Sequence, residues 1–374
     1  EGLHAGFDIT PFGLPDAVFA GVTRDVPLDA EMYEDVSKAV NYLYSRCEEY
    51  VSDGKEEDEE DEFFGMSPSQ QQCSRMMQKI DWLREQVEAG DPWTAEVDTT
   101  RYNDKQVKTV ELTPTNVASF LRNNVWSRAK KRVISTATLP YQSNPEIWLY
   151  KAGLDPKKTK FIDVSMTFPV ENRPIYTSSM VASMSSQGDQ DNWSKIMAKM
   201  NELAEAHYQQ KGLVHTASYG RARLIEDSIN SQNHTYLHDN VYLHERGTDT
   251  DEEIQKWQDS DKDIFLSPSV MEGVDLKDEM CRWQVLLKVP YPSQSSRIKH
   301  MLNEEKYGWN EYRERTLLRV VQSYGRAVRS KEDHASYYVL DEDFNDLLKY
   351  RTPPDWFSEA ITDEEPERQG VFDF

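Results

Sequence analysis

Gly212-Leu213-Val214-His215-Thr216-Ala217-Ser218 runs directly into Tyr219-Gly220-Arg221-Ala222-Arg223-Leu224, and the reading of this join decides the fold. Residues 212–218 are a strand candidate, a short apolar run closing on hydroxyl residues. Residues 219–230 read as a helix. Downstream, 241–245 reads as a strand, 251–259 as a helix, 263–267 as a strand, 282–290 as a strand, 312–326 as a helix and 337–341 as a strand. Strand–helix alternation at this spacing predicts an α/β fold, a parallel sheet covered by helices on both faces. Ligands of such sheets sit at the carboxyl ends of the strands, so motifs that close strands carry the most information.

Upstream the pattern differs. Residues 1–125 read as mostly helical and poorly patterned for a sheet. Met32, Val36, Val40, Leu43 and Tyr44 recur near helical spacing within 30–50. An acidic run at 56–62 reads as a solvated loop or helix end. Ser67-Pro68 suits the start of a second helix, through Met76, Ile80, Leu83 and Val87 to Gly90-Asp91-Pro92. Residues 113–126 read as a third, with Pro114 near its start. From Lys131 the chain changes again, and residues 132–139 (RVISTATL) read as a short buried strand ending in hydroxyl residues.

At 374 residues the chain can hold two domains, and 38% hydrophobic content indicates that they fold. No uninterrupted apolar run reaches the roughly 18 residues of a membrane span, so no membrane partner is expected. The chain starts Glu-Gly-Leu-His, without Met or a leader pattern, and reads as a cut inside a longer gene product. Cys47, Cys73 and Cys281 form no CxxC pair and read as free thiols of a reducing cytoplasm. His234, His238 and His244 lie close together, but in strand-like surroundings, and no metal site is expected. The net charge of −23 reads as solubility, against general nucleic-acid binding, or as adaptation to high salt. In the second case DNA affinity rests on stacking and hydrogen bonds more than on counterion release.

Three strand-end segments can carry chemistry. Ser135-Thr136-Ala137-Thr138 follows the 132–139 strand candidate. Glu272-Gly273-Val274-Asp275-Leu276 places a glycine between two acids, as a tight turn near a ligand needs, though a plain turn has the same composition. In Gln322-Ser323-Tyr324-Gly325-Arg326-Ala327-Val328-Arg329, residues Gln322, Arg326 and Arg329 lie on one helical face at i, i+4 and i+7. Two guanidinium groups one turn apart suit a polyanion such as a triphosphate; the alternative is a surface helix paired with Glu332 and Asp333.

In this order, SxAT, EGVDL and QxxGRxxRSxxD resemble motifs III, V and VI of superfamily 2 helicases, in wording similar to the XPD/DinG branch of 5′-to-3′ DNA helicases. Phe168-Pro169-Val170-Glu171-Asn172-Arg173 is similar to the lead-in to that family's second motor domain. Gly212–Tyr219 resembles motif IV, and Pro290-Tyr291-Pro292 the turn that follows motif V. The resemblance covers about residues 113–350. One departure is His334-Ala335 after Asp333, where the family usually carries a glycine. Another is the lack of any GxxxxGK[ST] loop or DEAH box in the chain.

The resemblance implies a RecA-like parallel sheet flanked by helices, with an N-terminal, mostly helical, arch-like domain. Residues 1–125 are the arch-like insertion, 126–150 the returning segment of the first RecA-like domain, and 151–374 the second RecA-like domain. It implies the C-terminal part of an ATP-dependent helicase, inactive alone, with DNA repair as the family's setting. Gln322, Arg326 and Arg329 are its catalytic residues, the arginines reaching the γ-phosphate of ATP. Ser135, Thr136, Glu272, Gly273 and Asp275 couple nucleotide to DNA, and Ser218 and Tyr219 contact single-stranded or forked DNA. The Mg²⁺ ligands, any iron–sulfur cluster and the first RecA-like domain lie upstream. Two other classes remain, a non-catalytic RecA-like interaction module and a nuclease-linked DinG-type protein.

Overall fold

The computed structural model describes residues 6–7, 26–27, 30–52, 68–88, 93–102, 105–114, 116–136, 138, 145–162, 164, 166–184, 190–232, 236–268, 274–293, 295–304 and 307–364. The chain divides into two compact units. The first comprises Glu1–Arg132, Leu149–Lys157 and Ser293–Trp309; the second comprises Val133–Trp148, Lys158–Pro292 and Asn310–Phe374.

The first unit holds β1 (Gly6–Phe7), β2 (Val26–Pro27), α1 (Ala30–Ser52), α2 (Pro68–Glu88), β3 (Trp93–Tyr102), β4 (Lys105–Pro114) and the short α3 (Ala118–Phe120). The two expected long helices form, and they pack together: Val40, Leu43 and Cys47 of α1 and Cys73, Ile80 and Leu83 of α2 are buried. Cys47 and Cys73 meet across this seam, and burial, with the Cys73 thiol beside it, pushes the Cys47 thiol up to about 12. The sequence reading missed the other half of the unit. β3 and β4 form a long antiparallel hairpin, registered from Trp93 opposite Pro114 to Tyr102 opposite Lys105, with β1 and β2 on its outer edges. Pro114 therefore ends a strand instead of starting a helix. The helical stretch begins at Ala118, widens into a π turn over Leu121–Val125 and tightens at Trp126–Arg128.

The second unit holds α4 (Pro145–Lys151, shared with the first unit), β5 (Ile175–Tyr176), α5 (Gln190–Ala206), β6 (Gly212–His215), α6 (Tyr219–Gln232), α7 (Leu237–Asn240), β7 (Val241–Leu243), α8 (Thr250–Asp259), β8 (Ile264–Ser267) and β9 (Trp283–Leu286). After α9 (Ser296–Glu304), which belongs to the first unit, come α10 (Gly308–Tyr324), β10 (Ser336–Val339), α11 (Asp343–Tyr350), α12 (Asp355–Ser358) and β11 (Ile361–Thr362). Among the described residues the strands form one seven-stranded parallel sheet, ordered β11-β5-β10-β9-β6-β8-β7. All residues of β6, β8 and β9 are buried, as a sheet covered on both faces requires. α5 and α6 cover one face through Ile196, Met200, Ala222 and Ile225, which pack with Val214, Leu266 and Val285. α10, α11 and α12 cover the other through Leu317, Val320, Phe344 and Phe357, with α8 beside them through Ile254 and Trp257.

Local chemistry sets these elements. Asp249 caps α8 by accepting from the backbone N–H of Asp251 (3.0 Å) and Glu252 (3.1 Å), while Asp251, Glu252 and Glu253 favour its positive end. β6 opens on Gly212 because a Cβ there would lie 2.1 Å from the Trp283 indole on β9. The expected strand at 132–139 does not form among the described residues: 132–136 are coil, no strand pairs with them, and Val133 is 96% exposed. A β-rich run stays coil when no neighbour takes its backbone hydrogen bonds.

Candidate functional site

α10 ends at Tyr324, and the manner of its ending builds the site. The last carbonyls of a helix lack intrahelical partners. Here the N–H of Gly325 takes Val321 O (3.3 Å), the Arg326 guanidinium folds back through Nε onto Gln322 O (2.7 Å), and the side-chain amide of Gln284 donates to Tyr324 O (3.3 Å). Arg326 and Arg329 thus lie beyond the helix, in a turn, and not on a continued helical face with Gln322. They nonetheless converge. Arg326 Nη1 (3.0 Å) and Arg329 Nη2 (3.1 Å) donate to the same oxygen, Val274 O.

Val274 belongs to the segment after β8. Its continuation is laced to the arginine turn by the N–H of Leu276, which donates to Arg326 O (3.1 Å), and by an ion pair between Arg329 Nε and Asp275. Asp275 is the acid that pairs with Arg329; the sequence alternative had named Glu332 and Asp333. Asp333 is buried and acts on backbone instead. Its carboxylate accepts from the N–H groups of Arg329 (3.1 Å), Asp278 (3.2 Å) and His334 (2.9 Å), and from Arg282 Nη1 (2.9 Å). Arg282 also binds Glu279 Oε1 through Nη2 (2.6 Å). Asp333, Arg282 and the Val274 carbonyl are parts of this arrangement that the sequence reading did not assign. Only the position of Asp333 within the QxxGRxxRSxxD pattern signalled one of them.

Beneath the turn runs a buried polar chain. His215, at the end of β6, donates through Nε2 to Gln284 Oε1 (3.2 Å), and Gln284 on β9 passes the connection to Tyr324 O. Burial pulls the His215 imidazole down to about 4, the Arg326 charge adds to that, and the Gln284 hydrogen bond opposes it. The imidazole is therefore neutral at pH 7. On the adjoining side Arg173 is buried and donates to Phe168 O (3.2 Å), to Tyr324 Oη (3.4 Å) and to Trp356 O and Glu359.

The structure brings Asp275, Gln322, Arg326 and Arg329 together. Gln322 is partly exposed, and its amide has no hydrogen-bond partner among the described residues. Glu272 and Gly273 lie outside the described residues. Ser218 and Tyr219 sit elsewhere on the same unit, at the join of β6 and α6. Ala217 there adopts a left-handed φ of 61°, Ser218 Oγ accepts from the N–H of Arg221 (3.2 Å), and Tyr219 meets His244 edge-on at 5.6 Å. A non-glycine residue held at positive φ stores local strain that the surroundings must maintain. Ser135 and Thr136 are exposed, and among the described residues Thr136 Oγ1 donates to Thr138 O (2.9 Å) and accepts from Thr138 N (3.2 Å). Among the described residues neither makes a hydrogen bond to the arginine turn.

Among the described residues no group of His, Cys, Asp or Glu is arranged to hold a metal ion, and no helix is long and apolar enough to cross a membrane. Two guanidinium groups already share one oxygen, and the Arg329 side chain remains 36% exposed.

Residues 201–360 match the family model of the helicase C-terminal domain. The chain is 30% identical over 103 residues to the ATP-dependent DNA helicase chl1 of Schizosaccharomyces pombe, covering 24% of this chain and 12% of that protein. It is 27% identical over 123 residues to CHL1 of Saccharomyces cerevisiae, also named an ATP-dependent DNA helicase, covering 29% and 14%. The matches thus span a small fraction of the length of these relatives. Among solved structures, S. tokodaii Xpd4 aligns with a TM-score of 0.45 at 14% identity, over 93% of this chain and 73% of that one. An XPD helicase aligns with a TM-score of 0.44 at 13% identity, over 84% and 60%. The resemblance read from the motifs, to the C-terminal portion of an XPD-like superfamily 2 helicase, is borne out.

Proposed function

We propose that this chain, with its helicase C-terminal domain, is the part of an ATP-dependent 5′-to-3′ DNA helicase that completes the motor from the side opposite the Walker loop. Residues 1–125 are its arch-like insertion, 126–150 the returning segment of a first RecA-like domain, and 151–374 the second. The observation that carries the reading is the convergence of Arg326 and Arg329 on Val274 O, with Asp275 steadying Arg329. ATP, bound with Mg²⁺ against the first domain, supplies the phosphoryl group whose transfer to water drives the motor.

Each residue has a task in this scheme. Arg329, partly exposed, offers its guanidinium to the γ-phosphate and stabilises the charge that grows there, an effect worth about 10³–10⁵ in turnover for arginine fingers. Arg326 adds a second charge while its Nε closes the helix end, so its position is fixed by the fold. The unengaged amide of Gln322 positions the attacking water or a phosphate oxygen. Glu272, Gly273 and Asp275 couple the nucleotide to the DNA-facing side, and Ser135 and Thr136 relay between the motor halves. Ser218 and Tyr219 contact the DNA strand, Tyr219 through its ring face or hydroxyl. A cytoplasmic location and adaptation to high salt agree with the free thiols and the charge of −23.

Unwinding of forked duplexes by the full-length protein tests this reading. Strand separation should need ATP, favour a fork with a 5′ tail, and vanish in Arg329→Lys, which keeps the charge and loses the planar fork. ATP-independent separation, or none on forks of either polarity, would refute it.

A further inference from the structure

β9 buries an amide among apolar neighbours. Gln284 stands in line with Trp283, Val285 and Leu286 and is 1% exposed. Trp283 and Val285 pack on the face that α5 and α6 cover, so alternation turns Gln284 and Leu286 toward the face that α10 covers. Leu213 on β6 is opposite Gln284, and His215, next but one along β6, shares that face. Burying an amide is costly unless both of its ends are bonded. Both are: Oε1 accepts from His215 Nε2 (3.2 Å), and Nε2 donates to Tyr324 O (3.3 Å).

The tautomer of His215 follows from these partners. Tyr324 O can only accept, so the amide presents its NH₂ there and its oxygen to the imidazole. That oxygen requires the ring proton on Nε2. The neutral ring then keeps Nδ1 as a bare acceptor, and among the described residues nothing donates to it. Burial, and after it the Arg326 charge, disfavours a second proton. His215 is thus held in the form that donates to Gln284. Two apolar side chains would fill the same space without a desolvation cost, so the polar pair is explained by what it holds.

It holds the start of the arginine turn. Gly325 follows Tyr324, and a Cβ there would approach nothing closer than 3.7 Å, so space does not dictate the course of the chain at this point. Tyr324 is fixed from two sides instead. Its hydroxyl donates to Arg173 O (2.6 Å), and its carbonyl accepts from the Gln284 amide.

We propose that Gln284, oriented by His215, is a positioning residue for ATP hydrolysis, fixing through Tyr324 O the direction in which Arg326 and Arg329 leave α10. The proposal rests on the reading of those arginines as partners of the γ-phosphate. Gln284 and His215 are themselves buried and out of reach of a nucleotide. Their loss therefore slows the chemical step by misplacing the guanidinium groups and leaves ATP binding nearly intact.

Steady-state ATP hydrolysis by the full-length protein with saturating single-stranded DNA tests it. Gln284→Met keeps the volume and removes both hydrogen bonds, but it strands the His215 N–H; adding His215→Leu removes that partner too. The double variant should melt closer to the unaltered protein than Gln284→Met alone. Its kcat should nevertheless fall about 10–10²-fold, with KM for ATP changed less than about threefold. Added to Arg329→Ala, the same pair should lower hydrolysis little further, because its effect passes through the arginines. His215→Gln, which keeps a donor toward Gln284, should retain more of kcat than His215→Leu alone. A kcat within about twofold of the unaltered protein, a loss carried by KM, a full further loss in the Arg329→Ala background, or equal losses in the two His215 variants would each overturn the positioning role. If Arg329→Ala alone left hydrolysis unchanged, the reading of the arginines would fall, and the positioning role with it.

Discussion

Arg329 and Asp275 form an ion pair that joins the turn after α10 to the segment after β8. Both side chains are substantially exposed, 36% and 64%. Exposed pairs contribute about 0–1 kcal/mol, so the fold does not depend on this one. Asp275→Asn should leave the melting temperature within about 3 °C while lowering DNA-stimulated ATP turnover of the full-length protein, through a less fixed Arg329. A large drop in melting temperature with unchanged turnover would assign Asp275 to the fold instead.

Asp333 is the opposite case. It is buried, and its two oxygens hold three backbone N–H groups and the Arg282 guanidinium. Asp333→Ala leaves those donors unmet and Arg282 without its buried acceptor, a loss of about 3–5 kcal/mol. Chemical denaturation should report it as a lower midpoint at unchanged slope. A loss below about 1 kcal/mol would show that water replaces the carboxylate.

The close approach at β6 gives a prediction independent of charge. Gly212→Ala places a Cβ 2.1 Å from the ring of Trp283, which is fully buried and tied through Nε1 to Gln210 O (3.1 Å). Neither ring nor strand can yield easily, so overpacking of about 1–3 kcal/mol is expected, with a change in near-ultraviolet circular dichroism. An unaltered spectrum and stability would mean that the sheet opens at little cost.

The sign of the His215 effect fixes a pH dependence. Its folded value, about 4, lies below the ordinary histidine value near 6.5, so the unfolded chain takes up the proton first. The stability tied to neutral His215 is complete above about pH 6.5 and falls away as the pH drops toward 4. Burial pulls His207 down as well, and its contribution has the same sign. Urea midpoints between pH 7.5 and 5 should fall, and His215→Gln should flatten the decline. A decline unchanged in that variant would place it in other groups.

Five of the seven strands of the sheet were legible because they are short apolar runs that end on small, hydroxyl or proline residues, as at His215–Ser218 and Leu286–Pro290, whereas the two-residue β5 and β11 are too short to show a pattern. Those boundaries fell within a few residues of the observed ones. The hairpin of β3 and β4 was missed although its sequence carries the signal: Trp93, Ala95, Val97 and Thr99 alternate on one run, Val107 and Thr109 on the other, and the residue types Asn103-Asp104, common in turns, stand between. Its charged residues masked the alternation. At the site, the order of motifs located Arg326 and Arg329, but helical periodicity misplaced them. Spacing cannot show that an arginine caps its own helix through Gln322 O. Nor could sequence reveal that the shared acceptor is Val274 O, because a backbone carbonyl has no residue type to read. The 132–136 segment failed for a related reason: strand propensity is expressed only beside another strand.

The role of the arginine pair is tested most directly by single-turnover ATP hydrolysis and ATP binding measured together on full-length Arg329→Ala with saturating single-stranded DNA. Hydrolysis should fall by about 10³ or more while ATP affinity changes less than about tenfold, because the guanidinium acts on charge that develops only in the transition state. Hydrolysis within tenfold of the unaltered protein, at equal DNA occupancy, would contradict it.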